Sequence, residues 1–178
     1  MTKFSSQIKP HHNVACIPVD KNVKIIEPFR DLFKNQVRDI AAYLDLPLNI
    51  VNKKVFPGPG FAIRVDGEVT KEKVSIVRKA TEIVSEVVER SSVSNQIWMA
   101  FAILANARSL GVKGDNRVWN EFCVVVRIIE SKNSMTANFS RLAMSLLPEI
   151  SKRIISETTV GRVVYDITDK PPATIEWQ

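Results

Sequence analysis

The five residues FPGPG, Phe56 to Gly60, constrain this chain more than any other stretch. Proline fixes φ and removes a backbone donor, while glycine admits conformations closed to other residues. Two Pro-Gly pairs in succession therefore fix a sharp path that neither a helix nor a central strand can cross. The chain must fold on either side of this block, and a boundary just before it divides it into residues 1–53 and 54–178. A length of 178 residues accommodates one domain with a sizeable appendage.

Hydrophobic periodicity supplies the elements on each side. Residues 1–26 are polar and aperiodic. In EPFRDLFKNQVRDIAAYLDLP, the residues Phe29, Leu32, Phe33, Val37, Ile40, Ala41 and Leu44 recur at helical spacing. Pro28 suits the first turn of that helix and Leu46-Pro47 its end. Beyond the break, FAIRV reads as a short strand. Thr70 then caps a second helix, KEKVSIVRKATEIVSEVVER, with Val74, Val77, Ala80, Val84 and Val87 on one face. QIWMAFAILANARSL fits either a helix or a buried strand, GVKGDNR a glycine-rich turn, and EFCVVVRII a β-branched strand. Together these three suggest a hairpin. A third helix is expected from about Asn138, with Pro148 kinking or restarting it, and RVVYDIT is the last strand. Helices and strands do not alternate regularly. The expected fold class is α+β, a small mainly antiparallel or mixed sheet packed with two or three helices, behind an N-terminal helical segment.

Composition narrows the chemistry. Lys and Arg total 25 against 19 Asp and Glu, a net charge of +6 that favours an anionic partner. No run of apolar residues is long enough to span a membrane, and MTKFSSQIK lacks the apolar core of a secretory signal. Cys16 and Cys123 do not make a disulfide framework, so a reducing, cytoplasmic setting is expected. No serine or cysteine sits in a GxSxG-like context, and neither GxxxxGK[ST] nor GxGxxG occurs. The adjacent pair His11-His12 would point oppositely on an extended segment, so no metal site is expected.

What remains is friendly to anions. The turn GVKGD offers backbone N–H groups beside Lys113. Arg64, Arg162 and Lys170 lie at or just beyond strand candidates, where a sheet could aim them. Hairpin turns with surface cations explain the same residues without a ligand. A nucleotide fits them better than a nucleic acid, because neither a basic stripe nor an RNP-like aromatic run is present. The tail KPPATIEW adds Pro171 and Pro172, which predict a stiff, extended end presenting Lys170, Thr174 and Glu176. An edge strand with a proline start is the simpler account of that tail.

Four blocks in this order, FPGPGFAIRVDGEVTKEK, ARSLGVKGDNRVW, MTANFSRL and RVVYDITDKPPATIEW, closely resemble the C-terminal region of the GMP synthetases. Upstream, IKPHHNV and EPFRDLFKNQVRDI resemble the end of that family's ATP pyrophosphatase domain. The resemblance implies that residues 1–53 are the tail of that domain and residues 54–178 a dimerisation and substrate-binding domain. It also implies a homodimer that binds xanthosine monophosphate and contributes to its ATP-dependent amination to GMP in purine biosynthesis. The other parts would be an ATP pyrophosphatase part and a glutamine amidotransferase subunit that supplies ammonia. By the same resemblance, Lys9, His11, His12 and Asn13 belong to a lid over the reacting nucleotides. Gly111, Lys113 and Gly114 match the phosphate-side loop, and Arg162, Lys170, Ile175 and Glu176 the substrate-contacting tail. It assigns no catalytic residue to this chain. Arg162 and Lys170 suit a phosphate, and Glu176 suits ribose hydroxyls or a purine N–H.

The departures from the family pattern are informative. Its ATP-binding Ser-Gly-Gly-Val-Asp-Ser run is absent from these residues, so no cofactor is expected on this chain alone, and ATP with Mg is expected only in an assembled enzyme. A glutaminase Cys-His-Glu set is likewise absent. Ala15 and Cys16 replace a glycine pair in the lid segment, Asn35 and Gln36 replace two charges, Lys113 stands where glutamine or methionine is common, and Gln178 replaces a terminal glutamate. Two other readings of the residues remain: a structural dimerisation module without substrate contact, and a basic nucleic-acid-binding or regulatory module.

Overall fold

The computed structural model describes residues 26–51, 56–131 and 136–177. The chain divides into two compact units, Met1–Lys53 and Lys54–Gln178.

In the first unit, α1 spans Lys34–Tyr43 and a single turn, α2, spans Leu48–Val51. The helix starts later than the apolar spacing suggests, because Pro28–Asp31 form a turn and Phe33 is extended at φ −76°, ψ 156°. The Gln36 side chain fixes the start, its Oε1 accepting the Phe33 N–H at 2.8 Å. Phe29, Phe33, Leu44 and Leu48 remain at the surface of this unit.

The second unit is α+β. A long hairpin, β1 (Met99–Lys113) and β2 (Asn116–Glu130), is its spine. The connection is two residues long and opens on Gly114 at φ 60°, a conformation that glycine adopts without strain. Two short elements share the far edge of β2: β3 (Asn138–Phe139) pairs antiparallel near its end, and β4 (Val160–Tyr165) pairs parallel at Phe122–Val126. The sheet is therefore mixed. Among the described residues, no helix is long and apolar enough to cross a membrane.

Alternation along β1 and β2 sorts the side chains onto two faces. Ala102, Leu104, Phe122, Val124, Val126 and Ile128 face α3 (Lys71–Glu89) and α4 (Leu147–Glu157), which cover one side. α3 behaves as its sequence predicts. Thr70 Oγ1 accepts the Lys73 N–H at 3.2 Å, and Val77, Ala80, Val84 and Val87 are buried. Between the two helices, Lys79 reaches Glu157 at 3.1 Å and Arg153 reaches Glu86 at 2.9 Å. These pairs are largely exposed and contribute little beside the apolar face beneath them. Met99, Phe101, Ile103, Val125 and Ile129 point the other way and form a second, smaller cluster.

Two expectations fail here for identifiable reasons. FAIRV is not a strand: Gly60–Arg64 winds into a 3₁₀ turn, and only Val65 bridges β1, at Leu104. The turn chemistry of the preceding Pro-Gly pairs continues into the apolar run and overrides its β propensity. The third helix does not begin near Asn138. That residue and Phe139 are drawn into the sheet, Leu142–Leu146 form a 3₁₀ turn, and α4 starts at Leu147 with Pro148 in its first turn. Pro148 thus starts the helix, where its missing N–H costs nothing.

Candidate functional site

β4 ends at Tyr165, and the following residues cross the base of the sheet's second face. Burial pushes the Tyr165 phenol up to about 12, and its hydroxyl lies 2.7 Å from the Ser140 carbonyl and 3.1 Å from that of Ile128. Beyond it the tail is not extended. Residues 171 and 172 form a turn in which the peptide bonds preceding both prolines are cis. The Ala173 N–H donates to the Asp169 carbonyl at 3.1 Å. Lys170 is locked to Ala137 by reciprocal backbone hydrogen bonds of 2.7 and 3.0 Å.

Two buried arginines hold this tail, and neither role was visible in the sequence. Arg127, near the C-terminal end of β2, is fully buried. Its Nη1 donates to Asp166 Oδ2 at 2.6 Å and to the Thr168 carbonyl at 3.0 Å. Its Nη2 reaches the Thr174 carbonyl at 3.0 Å and its Nε the Ile175 carbonyl at 2.9 Å. Asp166 also accepts the Trp177 indole N–H at 2.7 Å and the Thr168 N–H at 2.8 Å. Burial by itself would raise the Asp166 carboxyl, but these donors and the Arg127 charge hold it below the usual carboxylate value. Arg64 is the second clamp, 2% exposed. It grips Glu176 bidentately, at 2.8 and 3.1 Å, while its guanidinium lies 4.1 Å from the Phe101 ring centre and 5.3 Å from that of Phe56. Its charge, read from the sequence as available to an anion, is committed to the tail.

The residues singled out by sequence fall into three places. Lys170, Ile175 and Glu176 share the tail. Lys170 is half-buried, the Ile175 side chain packs into the cluster of Met99, Phe101 and Ile129, and the Glu176 carboxylate meets Arg64. Arg162 stands exposed on β4, paired in register with Cys123, whose thiol is pushed up by burial against the opposing pull of the Arg162 charge. Next to it, Gly161 leaves space that Glu121 fills, since a Cβ there would lie 2.6 Å from Glu121 Cβ.

Gly111, Lys113 and Gly114 lie at the hairpin tip, where the Lys113 side chain is outside the described residues. Lys170, beside Ala137, lies at the opposite end of the sheet, next to the Glu130–Asn138 pair. Counted along the strands from Met99 to Gly111, roughly 35 Å separates the two within one chain. The structure therefore brings the tail residues together and does not bring the tip to them. Lys9, His11, His12 and Asn13 lie outside the described residues. Among the described residues, no three His, Cys, Asp or Glu side chains gather as a metal site.

Comparison with known proteins sets this unit among relatives. The family model of the GMP synthase C terminal domain matches residues 85–177. The glutamine-hydrolysing GMP synthase of Thermotoga petrophila is 49% identical over 177 residues, which are 99% of this chain and 35% of that protein. That of Prochlorococcus marinus is 50% identical over 177 residues, 99% of this chain and 33% of that protein. A subunit of the glutamine-hydrolysing GMP synthase of Pyrococcus horikoshii is 51% identical over 173 residues, 97% of this chain and 55% of that protein. The chain thus spans between a third and just over half the length of these relatives. With both faces of its sheet, β4 and the clamped tail lying inside the matched region, this chain belongs to the GMP synthase C-terminal domain family.

Proposed function

We propose that this chain is the part of a GMP synthase that binds xanthosine monophosphate and dimerises, contributing to the ATP-dependent amination of that nucleotide to GMP. The observation that carries the reading is the fixed tail, which sets a lysine within a few residues of a carboxylate on a rigid base. Lys170 is suited to a phosphate oxygen as a point charge, and Arg162, on the same sheet face, to a bidentate grip. Glu176 is suited to a hydroxyl or a purine N–H, and it would accept one while remaining paired with Arg64, since a carboxylate has lone pairs to spare. The glycine turn at Gly111–Gly114 would offer backbone N–H groups to the same anion. Its distance from the tail within one chain means that this contact would come from a second copy, so the site would be completed by the homodimer. An ATP pyrophosphatase part and a glutamine amidotransferase would be the other partners. The Ser-Gly-Gly-Val-Asp-Ser run typical of the family's ATP site does not occur in these 178 residues. ATP and its Mg would then be held elsewhere in the assembly.

Titration calorimetry with xanthosine monophosphate tests this, using the chain alone and with an ATP pyrophosphatase partner. Binding is expected in at least one case, weakened by Lys170→Ala. A folded dimer that binds in neither would defeat the substrate reading. The Glu176–Arg64 pair favours one alternative, a tail that serves only to brace the fold. On that reading Lys170→Ala leaves the GMP formation of the reconstituted enzyme unchanged.

A further inference from the structure

We infer that Arg127 is a positioning residue: its buried guanidinium is the template around which residues 166–177 fold, and it thereby sets where Lys170 and Glu176 stand. The positioning half of this inference rests on the substrate reading above.

A charge taken out of water is costly unless every donor finds a partner. Arg127 sits on a strand whose neighbours on the same face are Val125 and Ile129, so an aliphatic side chain would satisfy the packing. Instead its guanidinium is 0% exposed and bonded to four oxygens, at Asp166, Thr168, Thr174 and Ile175. All four belong to the tail, and three are main-chain carbonyls. These carbonyls bracket Lys170, two residues before it and four and five residues after it. The rigid fork of donors thus closes the two ends of one loop onto a single plane, with Lys170 between them. Asp166 passes the constraint on to Trp177, whose indole bonds to the same Oδ2 that meets Arg127. Trp177 is held at φ 70°, a region that bulky residues rarely enter. The Arg64 clamp, in contrast, grips one side chain near the chain end. Without Arg127, Thr168, Thr174 and Ile175 would lose the donors that order them. The backbone pair of Lys170 with Ala137 and the grip of Arg64 on Glu176 would remain, but the chain between those two points would be spread over many conformations.

The test uses the full chain labelled with ¹⁵N-tryptophan, the Trp177 indole resonance being assigned with Trp177→Phe. Arg127→Met should move that resonance to the position of an indole without its carboxylate partner and make the tail sensitive to protease. It should also weaken xanthosine monophosphate binding by about tenfold or more, the scale of misplaced binding groups. Arg127→Lys keeps the charge but reaches fewer oxygens, and should fall between wild type and Arg127→Met. If Arg127→Met does not fold, Asp166→Asn, which keeps the shape and removes the charge that faces Arg127, carries the same expectations. An unmoved Trp177 signal in the folded variants overturns the template. A released tail with unchanged affinity overturns the positioning role alone. A wild-type chain that binds no xanthosine monophosphate, with its Trp177 signal intact, overturns the substrate reading and the positioning role with it, while Arg127→Met still decides the template.

Discussion

The tail and the hairpin tip are both anion-friendly in sequence, yet they are opposite in construction. The tail has twelve residues without regular secondary structure and is pinned by side chains: two buried guanidiniums, a carboxylate and an indole. The tip is regular β-structure, but from the Ser109–Glu121 pair onward it is a two-stranded ribbon with Leu110, Val112 and Trp119 exposed. An isolated two-stranded ribbon is marginal in water, whereas an irregular segment wrapped round a satisfied buried cation is not free to move. Regularity of backbone and rigidity are thus separate properties here. Under the proposed function, the tail would serve as the fixed binding surface and the hairpin arm would be completed by a second copy.

The sharpest way to break the contrast is to unload one clamp. Glu176→Ala leaves Arg64 buried against two aromatic rings with no carboxylate, and should cost on the order of 2–4 kcal/mol in urea unfolding. A loss under about 0.5 kcal/mol would mean the tail is not part of the cooperative fold. A smaller effect is expected at alkaline pH. Tyr165 has its folded pKa raised to about 12, above its usual value of 10.0. Its contribution is therefore complete below the unfolded value and lost as the pH rises through the folded one. Stability measured from pH 9 to pH 12 should decline, and Tyr165→Phe should flatten the part of the decline that belongs to this group. The smallest effect belongs to the arm. Trp119 is 70% exposed, and Trp119→Ser should shift the stability of the isolated chain by no more than about 0.5 kcal/mol. A large loss there would show that the ribbon is packed against something within the chain, and would erase the distinction.

Local pattern foretold much of the second unit. The Thr70 cap and the valine face of α3, the hairpin about Gly114 and the last strand all follow from periods of 3.6 and 2, from caps and from turn residues. It misled where neighbouring chemistry prevailed. FAIRV followed its turn rather than its propensity, and Asn138 joined a strand edge instead of opening a helix. In the tail, the prolines pointed to an extended end, but residues 171 and 172 turn and the path is curled round Arg127.

The sequence by itself determined the fold class, the hairpin and its turn, the capped helix, and the resemblance that places the family. These depend on neighbours a few residues apart, whose spacing is written in the chain. Only the tertiary structure decided what the arginines do. Arg127 meets Ile175 across 48 positions and Arg64 meets Glu176 across 112. Taken alone, each of these arginines is one cation among 25 basic residues. A buried charge selects its partner by desolvation and geometry, and those exist only once the sheet has brought its second face under the end of the chain.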